Sequence, residues 1–140
     1  MPTRSIVQSI SAVAVHDPSL DFDADVIGMT RTASATRYAG VTTAVREVST
    51  AVGKCVPGDV IGMVSGDIVH IGKDLSEVAQ AILSRLLVTD AELVTVISGD
   101  GVDSDVLQRI KKWLDEKHPN AEFVSHHGGQ PSWSLLMGVE

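Results

Sequence analysis

Cysteine is nearly missing from this sequence: its 140 residues hold one, Cys55. A lone thiol closes no internal disulfide, and it does not make a zinc site, which needs several convergent ligands. The chain must therefore be held together by its core, as expected of a protein from a reducing cytoplasm. Aromatic residues are almost as scarce, with two Trp, two Phe and one Tyr, so that core has to be built from Val, Ile, Leu and Ala. Positive charge is also short. Eleven Lys and Arg face eighteen Asp and Glu, a net charge of −7, which argues against a nucleic-acid partner because phosphate binding needs clustered cations. The same balance opposes docking on an anionic membrane surface. No run approaches the roughly 20 apolar residues of a membrane span. The opening "MPTRSIVQS" carries one Arg and a short, Ser-interrupted apolar run, a poor match to a signal peptide.

What is present reads as one soluble domain large enough to bury a core without staples. The run "SIVQSISAVAVHD" is helical in period, with Ile6, Ile10 and Val13 on one face and Ser5 as N-cap. A domain seldom begins so abruptly, and the expectation is a chain cut from something longer. "DPSLDFDAD" is a loop, and a weaker helix is predicted from about Asp23 to Ala35. "GVTTAVREVST" is β-branched and reads as one strand, "VPGD" as a turn, and "VIGMVSGDIVHIG" as a hairpin about Ser65-Gly66-Asp67.

The clearest helix is "KDLSEVAQAILSRLL", with Asp74 and Glu77 at its start and a stripe from Leu75 to Leu86. "AELVTVISG" is apolar enough for a central strand. "DSDVLQRIKKWLDEKHP" is a second good helix. Its charges run with the dipole, and Val106, Leu107, Ile110, Trp113 and Leu114 point inward. "AEFVSH" and "SLLMGVE" read as the last strands. The sum is an α/β, or α+β layered, domain with a mixed sheet of about five to six strands packed with helices. "SGD" occurs at 65–67 and again at 98–100, each time after an apolar strand, which reads as recurrent turn chemistry and not as an internal repeat.

The chemically suggestive residues gather near the end. His126 and His127 are neighbours on a strand, so they face opposite sides and cannot share a metal. A further ligand would have to come from His70, Asp100 or Asp103, and no spacing demands it. Gly128-Gly129-Gln130 leads into Pro131. Glycines followed by Gln-Pro suit a tight turn, with backbone N–H groups left exposed beside it to hold a carboxylate or a partner's backbone. The same tripeptide works on ribosomal RNA in release factors, but those are basic proteins. "SGDGVDSD" has the acid density of a calcium loop without its spacing. Arg46, set in an apolar strand, calls for an acid or a ligand anion. No nucleophile triad, phosphate loop or carboxylate pair stands out.

Five stretches taken together carry a resemblance. "PTRSIVQ" is similar to the Pro-Thr-Lys-Ser-Ile/Val-x-Gln segment found late in dihydroxyacetone-kinase-like proteins. "VTTAVRE" resembles their Val-Thr-x-Ala-Val-Arg-acid strand, and "PGDVIGMVSGDIV" their Gly-Asp-x-Ile-Gly-x-x-x-Gly-x-Ile hairpin. "AELVTVISGDGV" resembles their strand and turn, and "HHGGQPSWSLLMGVE" their closing His-x-Gly-Gly-Gln-Pro stretch. These lie in family order across nearly the whole chain. The chain resembles the C-terminal region of the catalytic component of bacterial fatty acid kinase, within the dihydroxyacetone kinase family. It departs from the pattern at "TRYAG", where Thr-Gly is commoner, and at Trp133, where a Tyr or small polar residue is usual.

The resemblance implies a non-catalytic domain. ATP and magnesium would belong to a separate N-terminal kinase domain, with no cofactor in this chain. Residues 1–18 would be the helical tail of a preceding middle domain, and 19–140 the C-terminal α/β domain. Its partners would be a fatty-acid-binding carrier protein and other domains of the same protein, and a homo-oligomer is left open. His126, His127, Gly128, Gly129, Gln130, Pro131, Trp133 and Arg46 are the expected contact residues. Two alternatives stand beside this. One is a structural or dimerising domain, and the other is a small-molecule-binding domain using the His126/His127 rim, with Asp100 or Asp103 orienting a histidine as acid or base. For the intact protein, phosphorylation of dihydroxyacetone is the alternative activity.

Overall fold

The computed structural model describes residues 2–87 and 91–140. Four helices and eight strands follow in the order α1 (Ile6–Ala14), α2 (Phe22–Ala35), β1 (Arg37–Thr43), β2 (Val48–Thr50), β3 (Gly53–Cys55), β4 (Val60–Val64), β5 (Asp67–Gly72), α3 (Leu75–Leu86), β6 (Leu93–Ser98), α4 (Ser104–Lys117), β7 (Glu122–His127) and β8 (Trp133–Val139). Six strands form one mixed sheet in the order β5-β4-β1-β8-β6-β7, and β2 pairs with β3 in a small separate ribbon. Every pairing in the main sheet is antiparallel except β6 with β7, which α4 connects. Among the described residues no helix is long and apolar enough to cross a membrane.

Local chemistry accounts for the helices. Asp74 accepts the Glu77 N–H to start α3, and Asp103 accepts the Asp105 N–H to start α4, so each first turn has one orphan donor satisfied. Val78, Ala79, Ile82, Leu83 and Leu86 of α3, with Ile110 and Leu114 of α4, are buried against alternate residues of the sheet, among them Val41, Val94, Val96, Leu135, Met137 and Val139. The stripes expected on both helices are the stripes used. The β4–β5 hairpin closes through Ser65 and Gly66, both at positive φ (52° and 91°), with Val64 opposite Asp67; a two-residue turn of this kind matches the twist of its strands.

The other face of the sheet carries α1, laid across β8 and β1, with α2 packed on α1. The face of Ile6, Ile10 and Val13 turns to the outside and not into the domain; these side chains are 53%, 40% and 65% exposed, while Val7 and Ala12 are buried. The reason is the close approach of α1 to Gly138, where a Cβ would lie 2.9 Å from that of Val7, so the helix seats on a short side chain over a residue that has none.

The run "GVTTAVREVST" is not one strand. β1 starts earlier, at Arg37, and stops at Thr43; the chain bends at Val45 and Arg46 before β2. The Pro57-Gly58-Asp59 turn causes this. It takes both backbone groups of Ala44, through Ala44 N–H to the Asp59 carbonyl and Gly58 N–H to the Ala44 carbonyl. Asp59 is itself held by Lys73 and the Val56 N–H, so the latch is firm.

Candidate functional site

The C-terminal motif forms a clamp between two strands. The Ser98 carbonyl at the end of β6 accepts N–H bonds from both Gly128 (2.8 Å) and Gly129 (3.1 Å). The Gln130 amide folds inward and donates to the carbonyls of Ile97 (3.2 Å) and Trp133 (3.1 Å). Its own main-chain carbonyl accepts from the Asp100 N–H (3.0 Å), and Gly99 N–H donates to the Ser134 carbonyl (2.8 Å). The expected rim of exposed glycine N–H groups is thus corrected. Both are consumed inside the fold, because the turn lies directly against the end of β6 and its donors pair there. Pro131 and Ser132 are exposed on the outer bend of this loop, and Thr42 Oγ1 donates to the Ser132 carbonyl.

His126 and His127 end β7, opposite Ile97 and Ser98 of β6. They therefore project to opposite faces. His127 Nδ1 lies 3.4 Å from the Ser98 hydroxyl, which itself sits 3.4 Å from the His126 carbonyl, both long contacts. Neither imidazole forms an ion pair with a carboxylate among the described residues, in contrast to His16, whose Nδ1 is 2.6 Å from Asp25. Asp103 is engaged in capping α4. Asp100, the other acid named for orienting a histidine, likewise forms no ion pair with His126 or His127 among the described residues. No three His, Cys, Asp or Glu side chains come together among the described residues as a metal would require.

Trp133 is placed by an irregularity. Pairing of β1 with β8 runs Val41 to Leu135 and then jumps to Thr42 with Trp133, leaving Ser134 as the extra residue. Such a bulge re-aims a side chain. Without it Trp133 would join Leu135 and Met137 in the core; with it the indole lies over Gly40, where a Cβ would come within 2.6 Å of the ring. There Trp133 lines a mostly apolar cavity of about 370 Å³ with Tyr38, Met63 and Leu136, and Arg4, Ser5 and Ile6 at the start of α1 line it too. Tyr38, Gly40 and Met63 were not among the residues expected to matter. Their signal was the alternation Tyr38-Gly40-Thr42 on β1, which marks a second sheet face.

That face is only partly covered. Beyond α1, towards β6 and β7, Leu93, Thr95 and Val124 are half-buried and His126 is exposed. Arg46 stands apart. It is exposed on the bend after β1, outside any strand, and lines a separate cavity of about 200 Å³ with Cys55, Ile61 and Ile68. An arginine in water needs no internal acid, so the demand for a partner disappears.

Comparison with known proteins follows the same lines. The family of FakA-like fatty acid kinase C-terminal regions matches residues 1–140. An uncharacterized protein of Staphylococcus haemolyticus is 29% identical over all of this chain, which spans 25% of that protein. Uncharacterized proteins of Staphylococcus epidermidis, at 28% identity over 25% of their length, and of Staphylococcus aureus, at 27% over 26%, are similar in the same way. The chain spans about a quarter of the length of the curated relatives it matches.

Proposed function

The chain belongs to the FakA-like C-terminal family of fatty acid kinases, and from that premise we propose that it is the non-catalytic docking region of a two-component fatty acid kinase. In this reading a separate fatty-acid-binding carrier protein presents the acyl carboxylate. A kinase domain elsewhere in the protein, holding ATP and magnesium, transfers the terminal phosphoryl group to it, leaving an acyl phosphate and ADP. This region holds the carrier in place while that happens. Positioning of this kind is a large part of phosphoryl-transfer catalysis.

The observation that carries the proposal is the half-bare sheet face between Trp133 and His126. It offers an aromatic side chain beside an apolar cavity, a row of half-buried residues on β6 and β7, and an exposed imidazole at the far edge. Aromatic anchors over apolar cavities are the usual centres of binding energy at protein interfaces. Gly128, Gly129 and Gln130 serve the surface indirectly, by fixing the end of β6 against the start of β8. His127, on the opposite face, is assigned no contact.

Calorimetric titration of the chain with the carrier tests this. Wild type is expected to bind, Trp133→Ala to bind at least about tenfold more weakly, and His127→Ala to match wild type. Absence of wild-type binding, or a folded Trp133→Ala that binds as wild type does, sinks the reading in favour of a structural or dimerising domain.

A further inference from the structure

The two N-terminal helices and the loop between them expose much apolar surface. Among the described residues, seven of the eleven large hydrophobic side chains left exposed belong to α1, α2 or the loop between them, with Phe22 at 79% and Ile27 at 58%. On α1 they are ordered. Ile6, Ile10 and Val13 recur at i, i+4 and i+7, the spacing of a single helical stripe. The rest of α1 is just as unusual for a surface helix, for "IVQSISAVA" contains no charged residue. A helix that faces water normally carries charge on its outer side. An uncharged helix with an ordered apolar outer stripe shares with the centre of an interface its depletion of charge.

Length indicates what covers it. The relatives are about four times as long as the matched region, and the family is a C-terminal one. In a chain built like theirs the remaining polypeptide stands upstream and enters at residue 1. Its path into the domain leads directly to Ile6. Tethering at that point keeps the upstream chain at an effective concentration of about millimolar, so a small apolar contact of weak intrinsic affinity stays closed.

We propose that the Ile6–Ile10–Val13 stripe of α1 seats an apolar face of the polypeptide upstream of residue 1, and so sets the orientation of this domain on its neighbour. The inference rests on the family assignment; of the stripe, Ile6 also lines the Trp133 cavity, whereas Ile10 and Val13 do not. It makes α1 a two-sided adapter, with Val7 and Ala12 buried in the domain and the stripe turned to the neighbour.

Thiol labelling tests it. Cys55 is 1% exposed, so the folded protein has little background reactivity from it. Val13→Cys is placed in the 140-residue chain and in the protein made from its full coding sequence, and maleimide labelling of that position is followed by peptide mass spectrometry. Labelling in the longer protein is expected to be at least tenfold slower, with Val45→Cys, at a site 88% exposed on the bend after β1, reacting equally in both. Equal rates at Val13→Cys overturn the proposal, as does a coding sequence with nothing ahead of residue 1. Protection that already grows with concentration in the 140-residue chain overturns it too, by showing that a second copy covers the stripe. None of these readings depends on the carrier, so a failed titration and a failed labelling experiment remain distinct.

Discussion

Replacing Gln130 separates an architectural clamp from a free binding loop. Its amide nitrogen donates to two main-chain carbonyls, those of Ile97 and Trp133, and Ile97 is 5% exposed. Two acceptors facing one amide require the nitrogen, and not the oxygen, to point inward. A side-chain to backbone hydrogen bond contributes roughly 1 kcal/mol net, so Gln130→Ala, which removes two, is expected to cost about 2 kcal/mol. In a domain of this size that lowers the melting temperature by about 6–10 °C. Gln130→Glu keeps the size but sets a carboxylate against two carbonyl oxygens. It should cost at least about 1 kcal/mol more than alanine at neutral pH. Urea denaturation of the three proteins, compared at equal slope, is the assay. The expected order of stability is Gln, then Ala, then Glu. A glutamate variant as stable as wild type would mean that the amide faces water, and the clamp would then not exist.

Two further outcomes follow from the same geometry. A Cβ on Gly99 would collide with the Trp133 carbonyl oxygen, which is backbone and cannot swing aside, whereas one on Gly28, within α2, meets nothing within 4 Å. Gly99→Ala is therefore expected to lose about 2–3 kcal/mol in urea denaturation, and Gly28→Ala to gain about 0.5–1 kcal/mol; equal effects would contradict the packing described. For pH, the Lys73 ammonium and then the Val56 N–H hold the Asp59 carboxyl below its ordinary value of 3.8, and hydrogen bonds from Ser76 and Ser19 do the same for Asp74 and Asp17. A group whose folded pKa is depressed stabilises above its unfolded value, and that stability is lost as pH falls through the folded one. The urea midpoint should hold from neutral pH to about 5 and decline below about 4, less steeply in Asp59→Asn. A midpoint independent of pH down to about 3 would refute the pairing.

Much of the layered fold is legible in the residues themselves. α3 and α4 declare their caps and stripes locally, and the Ser65-Gly66 hairpin is marked by a turn dipeptide whose glycine suits positive φ. The failures share a cause: contacts between residues far apart in the chain. β-branched composition carries "GVTTAVREVST" as a strand, but the latch that peels it from the sheet belongs to Asp59 and Lys73. Periodicity marks the apolar stripe of α1 without saying that Gly138 draws the opposite side inward. Turn chemistry is plain at Gly128 and Gly129, while the consumption of their N–H groups depends on Ser98. The side on which Trp133 emerges is set by one extra residue in a pairing with β1. Family membership was more accessible than the site, because it rests on short motifs in fixed order, whereas the surface rests on register.

If, as proposed, a fatty-acid-binding carrier docks on this domain, its place of contact can be mapped. An amide chemical-shift map of isotope-labelled chain titrated with the acyl-loaded carrier does this directly, with the Trp133 indole N–H as a built-in reporter. The perturbed residues are expected to cluster on the half-bare sheet face, at Trp133, Leu136, Thr95, Val124 and His126, with the outer surfaces of α3 and α4 unmoved. Shifts confined to α3 and α4, or none at saturating carrier, would contradict docking on that face.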